Sequence, residues 1–206
     1  MYLGGNTRGR EPESKMSGRK GKLFIISAPS GCGKTTLCRR LLKRTPGMAR
    51  SVSYTTRPPR KGETNGRDYI FVSKARFDKE KTAGGFLEWA RNFGYYYGTP
   101  KKRVRGFLER GRDVLLAIDV KGAMKVKKAR PGGVFIFILP PSVADLKKRL
   151  KQRKTDNSSE ISKRIKVARR ELAYAPRYDY CVINDNLARA AEKLARIVAA
   201  ERNRNR

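Results

Sequence analysis

The stretch that decides the fold is Lys22-Leu-Phe-Ile-Ile-Ser-Ala-Pro-Ser-Gly-Cys-Gly-Lys-Thr-Thr36. Leu23 to Ser27 is a short apolar run rich in branched residues, ending in small and turn-forming ones. This is the pattern of a strand buried on both faces of a parallel sheet. From Lys34 to Lys43, Leu37, Leu41 and Leu42 recur on one helical face, and Pro46-Gly47 ends the helix. Between strand and helix lies Ala28-Pro29-Ser30-Gly31-Cys32-Gly33-Lys34-Thr35, then Thr36. It matches the phosphate-loop pattern, with Ala28 in place of the leading glycine. Glycines at 31 and 33 permit positive φ and let backbone N–H groups converge on an anion, to which the helix N-terminus adds its field. In such a loop Lys34 bridges the β- and γ-phosphates and the Thr35 hydroxyl ligates Mg2+. An ordinary Gly-rich turn explains the glycines, but not the strand, the Gly-Lys-Thr triplet and the spacing together. The loop therefore predicts a bound nucleoside triphosphate.

Working outward, similar apolar runs recur at Val114–Ile118, Val134–Leu139 and Tyr180–Ile183. Helical patterns lie at Val143–Leu150 and Leu187–Ala199. Strands alternating with helices predict an α/β fold with a central parallel sheet flanked by helices. Residues 51–99 break that rhythm with turn signals (Arg57-Pro-Pro-Arg60, Asn65-Gly66), many aromatics and an alternating strand around Tyr69–Val72. They read as an inserted module nearer to antiparallel β than to βαβ. A polar stretch, Arg153–Glu160, interrupts two helices as a mobile flap. Ile161, Ile165, Ala168 and Leu172 follow at helical spacing.

The 206 residues suit one compact domain. No apolar run approaches the roughly 20 residues that span a bilayer, and the opening lacks the apolar stretch of a secretory signal. Residues 1–20 read as a disordered basic tail, with Met16 an alternative start, and residues 201–206 as a frayed basic tail. Three cysteines without a CxxC pair, and no histidine, argue against structural zinc and for reduced thiols in the cytoplasm. The net charge of +32 raises nucleic-acid binding. The basic residues run along the whole chain and do not interleave with aromatics, so no dedicated nucleic-acid partner is expected.

A phosphate loop leaves ATPase, GTPase and kinase open. The Asn-Lys-x-Asp motif by which GTPases read guanine is missing. Ser51-Val-Ser-Tyr-Thr-Thr-Arg-Pro-Pro-Arg60 and Asn65-Gly-Arg-Asp-Tyr69 place two arginines in a rigid turn among hydroxyls. That suits a second phosphate group, and equally a solvated basic loop.

From about Lys22 to about Ala200 the chain resembles the guanylate kinase family. The resemblance rests on SAPSGCGKTT, SVSYTTRPPR, NGRDYIFV, FLEWA, YYYGTP, IDVKGA, FIFILPPS and VIND, in that order. It implies a P-loop nucleoside-monophosphate kinase fold over 21–206: a core of 21–50, 100–152 and 165–200, a mixed-β GMP-binding module at 51–99 and a lid at 153–164. The implied reaction is ATP + GMP = ADP + GDP with Mg2+. The implied GMP site is Ser53, Arg57, Arg60 and Tyr69 on the phosphate, Tyr97 beside them, and Glu88 and Thr99 on guanine. A carboxylate can accept from guanine N1–H and its amino group, and a hydroxyl can donate to O6. Residues 28–36 and Asn184 would bind ATP. Lys34, Mg2+ and the lid arginines Arg149, Arg153 and Arg164 would surround the moving phosphoryl group, with Arg57 and Arg60 aiming the acceptor phosphate. Asp119, at a strand end, would serve Mg2+ with Thr35; a helix N-cap is its other reading. Ribose-bisphosphate phosphokinases and peptide-binding scaffold modules look similar, although scaffolds usually carry a degraded phosphate loop. Two positions depart from the pattern: Ala117, where an acid is usual, and Lys121, where Gln is common.

Overall fold

The computed structural model describes residues 20–130, 132–152 and 158–204. Its main sheet runs β2 (Met48–Arg50), β7 (Asp113–Ala117), β1 (Leu23–Ser27), β8 (Val134–Leu139), β9 (Tyr180–Ile183), with every neighbouring pair parallel. β1 is central and buried along its length. Successive side chains point to opposite faces. Phe24, Ile26, Leu115, Ile136 and Ile138 therefore meet Leu37 and Leu41 of α1 (Lys34–Arg44), Leu146 of α5 (Val143–Gln152) and Leu194 of α7 (Leu187–Asn203). Ile25, Val114, Leu116, Phe135 and Phe137 meet Val104 of α3 (Lys101–Glu109) and Val126 of α4 (Val120–Ala129) on the other face. Helices on both faces make each strand apolar at every position. The chain leaves β1 and returns on both sides of it, which opens a crevice at its carboxyl end, where the phosphate loop emerges.

The inserted module carries a four-stranded sheet in the order β4 (Ile70–Phe71), β3 (Tyr54–Thr55), β6 (Tyr95–Pro100), β5 (Phe86–Asn92). It is mixed: β3–β4 is parallel, and β3–β6 and β5–β6 are antiparallel. It also holds α2 (Lys74–Thr82), capped by Ser73, whose side chain accepts from Arg76 N–H. That helix buries one residue, Phe77, so no apolar stripe betrays it in the sequence. Phe77 stacks on Phe86 at 4.6 Å and nears Tyr96 at 5.5 Å, giving the module a core of its own. Replacing Phe77 with alanine should cost about 3–5 kcal/mol of stability. Urea unfolding followed by far-UV circular dichroism measures this; a loss under ~1 kcal/mol would show that the ring carries little of that core. Lys125 of α4 lies over Trp89 of β5, 4.5 Å from its centroid, and fastens the module to the core, while Lys81 of α2 lies over the same ring at 4.1 Å within the module.

Two expectations need correction. The C-terminal segment is not frayed from 201: α7 continues through Asn203. Glu201 is buried and accepts from the Tyr180 hydroxyl at 2.6 Å, and Arg202 pairs with Asp113 at 2.7 Å. These partners come from β9 and β7, distant in sequence, which is why the tail reads as free. Residues 158–164, expected to belong to the polar flap and lid, are helical instead, as the first turns of α6 (Ser158–Leu172). Residues 1–19, 131, 153–157, 205 and 206 lie outside the described residues.

Candidate active site

The phosphate loop is held open by its glycines. Gly31 and Gly33 have φ of 97° and 82°. A Cβ at Gly31 would meet Leu146 Cδ1 at 2.8 Å, and one at Gly33 would meet Asn184 Nδ2 at 2.5 Å. Gly33 precedes α1 without a side-chain cap, which leaves the first-turn N–H groups of the helix to an anion. Lys34 reaches along the floor, where its Nζ donates to Ile118 O at 2.7 Å. Burial lowers its pKa, and Asp119 works against that shift. Cys32 is fully buried behind the loop with its thiol pushed up to about 12, so it is inert packing.

The cleft in front of the loop has its opposite wall in the inserted module: Ser53, Arg60, Tyr69 and Tyr97, then Glu88, Ala90, Asn92 and Phe93 of the β5–β6 hairpin. Ala117, Ile118 and Asp119 form the floor, and Glu171 of α6 closes one side. Strand periodicity puts Glu88, Ala90 and Asn92 on one face of β5. Glu88 is buried, and burial first of all pushes its pKa up to about 7; the Thr99 hydroxyl, donating to its Oε1 at 2.6 Å, opposes the rise.

Several site residues sit differently from expectation. Thr99 gives its one proton to Glu88, so it orients the acid rather than presenting a free donor. Asn184 does not face the cleft. It is buried, donates to Cys32 O at 2.8 Å and accepts from Arg149 through its backbone O at 2.8 Å. Both residues thus clamp the back of the phosphate loop. Arg57 is buried, donating to both Glu63 carboxylate oxygens at 2.8–2.9 Å and to Pro58 O, with its guanidinium 5.6 Å from the Tyr69 ring centroid. Arg164 lies over the Phe93 ring, and Arg153 falls outside the described residues. Asp119 is the N-cap of α4, its Oδ1 accepting from Gly122 N–H at 2.7 Å, while its Oδ2 accepts from Asn92 Nδ2 at 2.9 Å.

Sequence reading missed Glu63, Asn92, Phe93 and Glu171. Glu63 organises the Arg-Pro-Pro-Arg turn by accepting from both Arg57 and the Arg60 N–H. Glu171 lines the cleft near Lys34 with its pKa raised to about 7, burial being the largest cause. An acid seven residues after Arg164 falls on the same helix face, which was the one available signal.

Residues 20–201 match the guanylate kinase family model, most of the 206-residue chain. The chain belongs to the guanylate kinase family. It is 48% identical over 184 residues to the guanylate kinase of Caldanaerobacter subterraneus subsp. tengcongensis, covering 89% of each chain. It is 48% identical over 183 residues to that of Carboxydothermus hydrogenoformans, covering 89% of this chain and 90% of the relative. The crystal structure of guanylate kinase from Anaplasma phagocytophilum superposes with a TM-score of 0.76 at 34% identity, covering 89% of this chain and 87% of that one. Ala117 puts a methyl group on the cleft floor. An acid there would join Glu88, Asp119 and Glu171; Asp119 already raises the Glu88 pKa, and a further carboxylate would raise it more.

Proposed function

We propose that this protein transfers the γ-phosphoryl group of ATP to GMP, giving ADP and GDP. The observation that carries the reading is one cleft with a phosphate loop on one wall and a buried carboxylate–hydroxyl pair, Glu88–Thr99, on the other. Guanine offers two donors on that edge, whereas adenine offers none at N1, so a fixed acceptor favours guanine. Residues 28–31 and 33–36 hold the ATP phosphates, with Lys34 against the β- and γ-groups. Asn184 and Arg149 act on ATP indirectly, by keeping the loop in shape. Arg60, Ser53, Tyr69 and Tyr97 take the GMP phosphate. Arg57 has donors beyond those spent on Glu63 and Pro58 and stiffens that wall.

Thr35 and Asp119 are hard oxygen donors facing the same cleft, a set that suits a Mg2+ ion brought in on phosphate oxygens. When bound, Mg2+ supplies neutralising charge for the phosphates. Transfer needs no general base, because the GMP phosphate is ionised near neutral pH, so positioning and charge dominate. Arg164 adds positive charge from α6, a part we also give to Arg153.

We further read the protein as cytoplasmic, in keeping with the free thiols of Cys32, Cys38 and Cys181; no described helix is long and apolar enough to cross a membrane. The +32 charge gives it only weak, salt-sensitive attraction for nucleic acids. The deciding experiment offers GMP, AMP, UMP, CMP and ribose 1,5-bisphosphate with ATP and Mg2+ and follows ADP formation. GMP-dependent turnover is expected. No turnover with any acceptor would favour a scaffold, and turnover with the sugar bisphosphate alone would favour the other kinase.

The raised Glu88 pKa sets a pH dependence. The carboxylate can accept from both N1–H and the amino group, whereas protonation turns one oxygen into a donor, so kcat/KM for GMP should climb from pH 6 to 8 with a midpoint near 7. The GMP phosphate ionises about a unit lower and cannot produce that midpoint. Thr99→Val removes the donor that favours the carboxylate, so the midpoint should move up. A profile unmoved by Thr99→Val would remove Glu88 as its source.

A further inference from the structure

The tip of the β5–β6 hairpin carries two costs. Phe93 holds φ at +47°, and among the described residues it is the sole non-glycine at positive φ. The residue is also 54% exposed. Asparagine would relieve the backbone and a polar residue the exposure. Strain and exposure together persist where a residue's contacts compensate for them.

The geometry shows what the strained backbone achieves. Along a regular strand Phe93 would point away from the face that carries Glu88, Ala90 and Asn92. With the left-handed turn at 93, Asn92 and Phe93 both line the cleft. Asn92 ties the tip to the main sheet through its 2.9 Å hydrogen bond to Asp119. Phe93 lies under Arg164 of α6, whose guanidinium carbon is 5.6 Å from the ring centroid. The tip thus joins the acceptor module, the end of β7 and the helix that follows the proposed lid.

We infer that Phe93 is a positioning residue for phosphoryl transfer, its ring holding Arg164 at the cleft when the acceptor module is in place. An aromatic ring suits this task. It attracts the cation through its quadrupole without cancelling the charge, whereas a carboxylate would compete with phosphate for the same donors. The inference rests on the kinase reading and adds to it a link between acceptor module and donor-side charge.

The test compares the parent with Phe93→Asn, Phe93→Leu, Phe93→Trp, Arg164→Gln and the double variant Phe93→Leu/Arg164→Gln, using ATP, Mg2+ and GMP, with thermal unfolding of each. Phe93→Asn relieves the strain, so its Tm should rise. Its kcat should nonetheless fall about five- to thirtyfold, with KM for GMP and ATP within about twofold. Phe93→Leu should lose kcat similarly, and Phe93→Trp should keep it. The double variant should be no slower than Arg164→Gln alone. The inference fails if Phe93→Asn matches the parent, if Phe93→Trp is as slow as Phe93→Leu, if the loss lies in KM for GMP, or if the losses multiply in the double variant. A parent that makes no GDP from GMP instead overturns the kinase reading itself.

Discussion

Replacing Lys34 with alanine is expected to lower kcat at least about 10²-fold while leaving the fold intact. The lysine sits at the N-terminus of α1 and extends across the cleft floor to Ile118 O. On the proposed reading, negative charge accumulates there as the phosphoryl group moves between donor and acceptor. A preorganised cation in a dry site is worth far more than the same charge in water. The fold should tolerate its loss for a related reason. Burial of the ammonium group lowers its pKa, so in the empty protein the charge is a burden that the surrounding acids only partly relieve. Lys34→Met, which keeps the aliphatic bulk, should therefore unfold at the same temperature as the parent or higher. Turnover by ADP release and a thermal melt on the same preparations check both halves. Activity within a few-fold of the parent would remove Lys34 from the transfer step.

Glu88→Gln should reduce kcat/KM for GMP by about 10²- to 10⁴-fold while leaving the use of ATP nearly unchanged. The side chains match in shape, and the Thr99 hydroxyl can donate to the amide oxygen as it does to the carboxylate. What changes is the other half of the group. An NH2 now meets the N1–H and amino donors of guanine, and the buried donors are left facing one another. The variant should also lose the rise in GMP use near pH 7, because no group remains there to ionise. Its stability should shift in a defined direction. Burial holds the folded-state pKa of Glu88 at about 7, above the ordinary value of 4.5. For this group stability is therefore greatest below about 4.5 and falls as pH climbs to about 7. Glu88→Gln removes that decline, so it should gain stability over the parent at pH 8 and not at pH 4. Melts at the two pH values, with GMP and AMP kinetics, measure this. Equal GMP efficiency in parent and variant would place guanine reading elsewhere.

By itself the sequence determined the strand order's raw material and the donor half of the site. β1 and the phosphate loop were legible because their constraints are local. A doubly covered strand must be apolar at every position, and Gly31 and Gly33 need backbone freedom that their neighbours in sequence reveal. The runs at β7, β8 and β9 were legible for the same reason, and the long helices for their repeated apolar faces. The four motifs around the acceptor module were visible as a family pattern, but their geometry was not.

Only the tertiary structure decided what each polar side chain faces. Thr99 and Glu88 lie eleven positions apart, and antiparallel pairing of β5 with β6 sets them opposite one another, where one proton serves both. Asn184 meets Cys32 from 152 positions away, because β9 is reached through β8 and ends beside the loop that β1 feeds. Glu201 and Arg202 became a packed helix end through Tyr180 and Asp113. Phe93 turned into the cleft through a left-handed turn, Phe93 and Gly94 both at positive φ, that no periodicity announces. Backbone propensity and burial patterns act over a few residues and can be read along the chain. The partner of a polar group is set by which strands the sheet order brings together, and that depends on the fold of the whole chain.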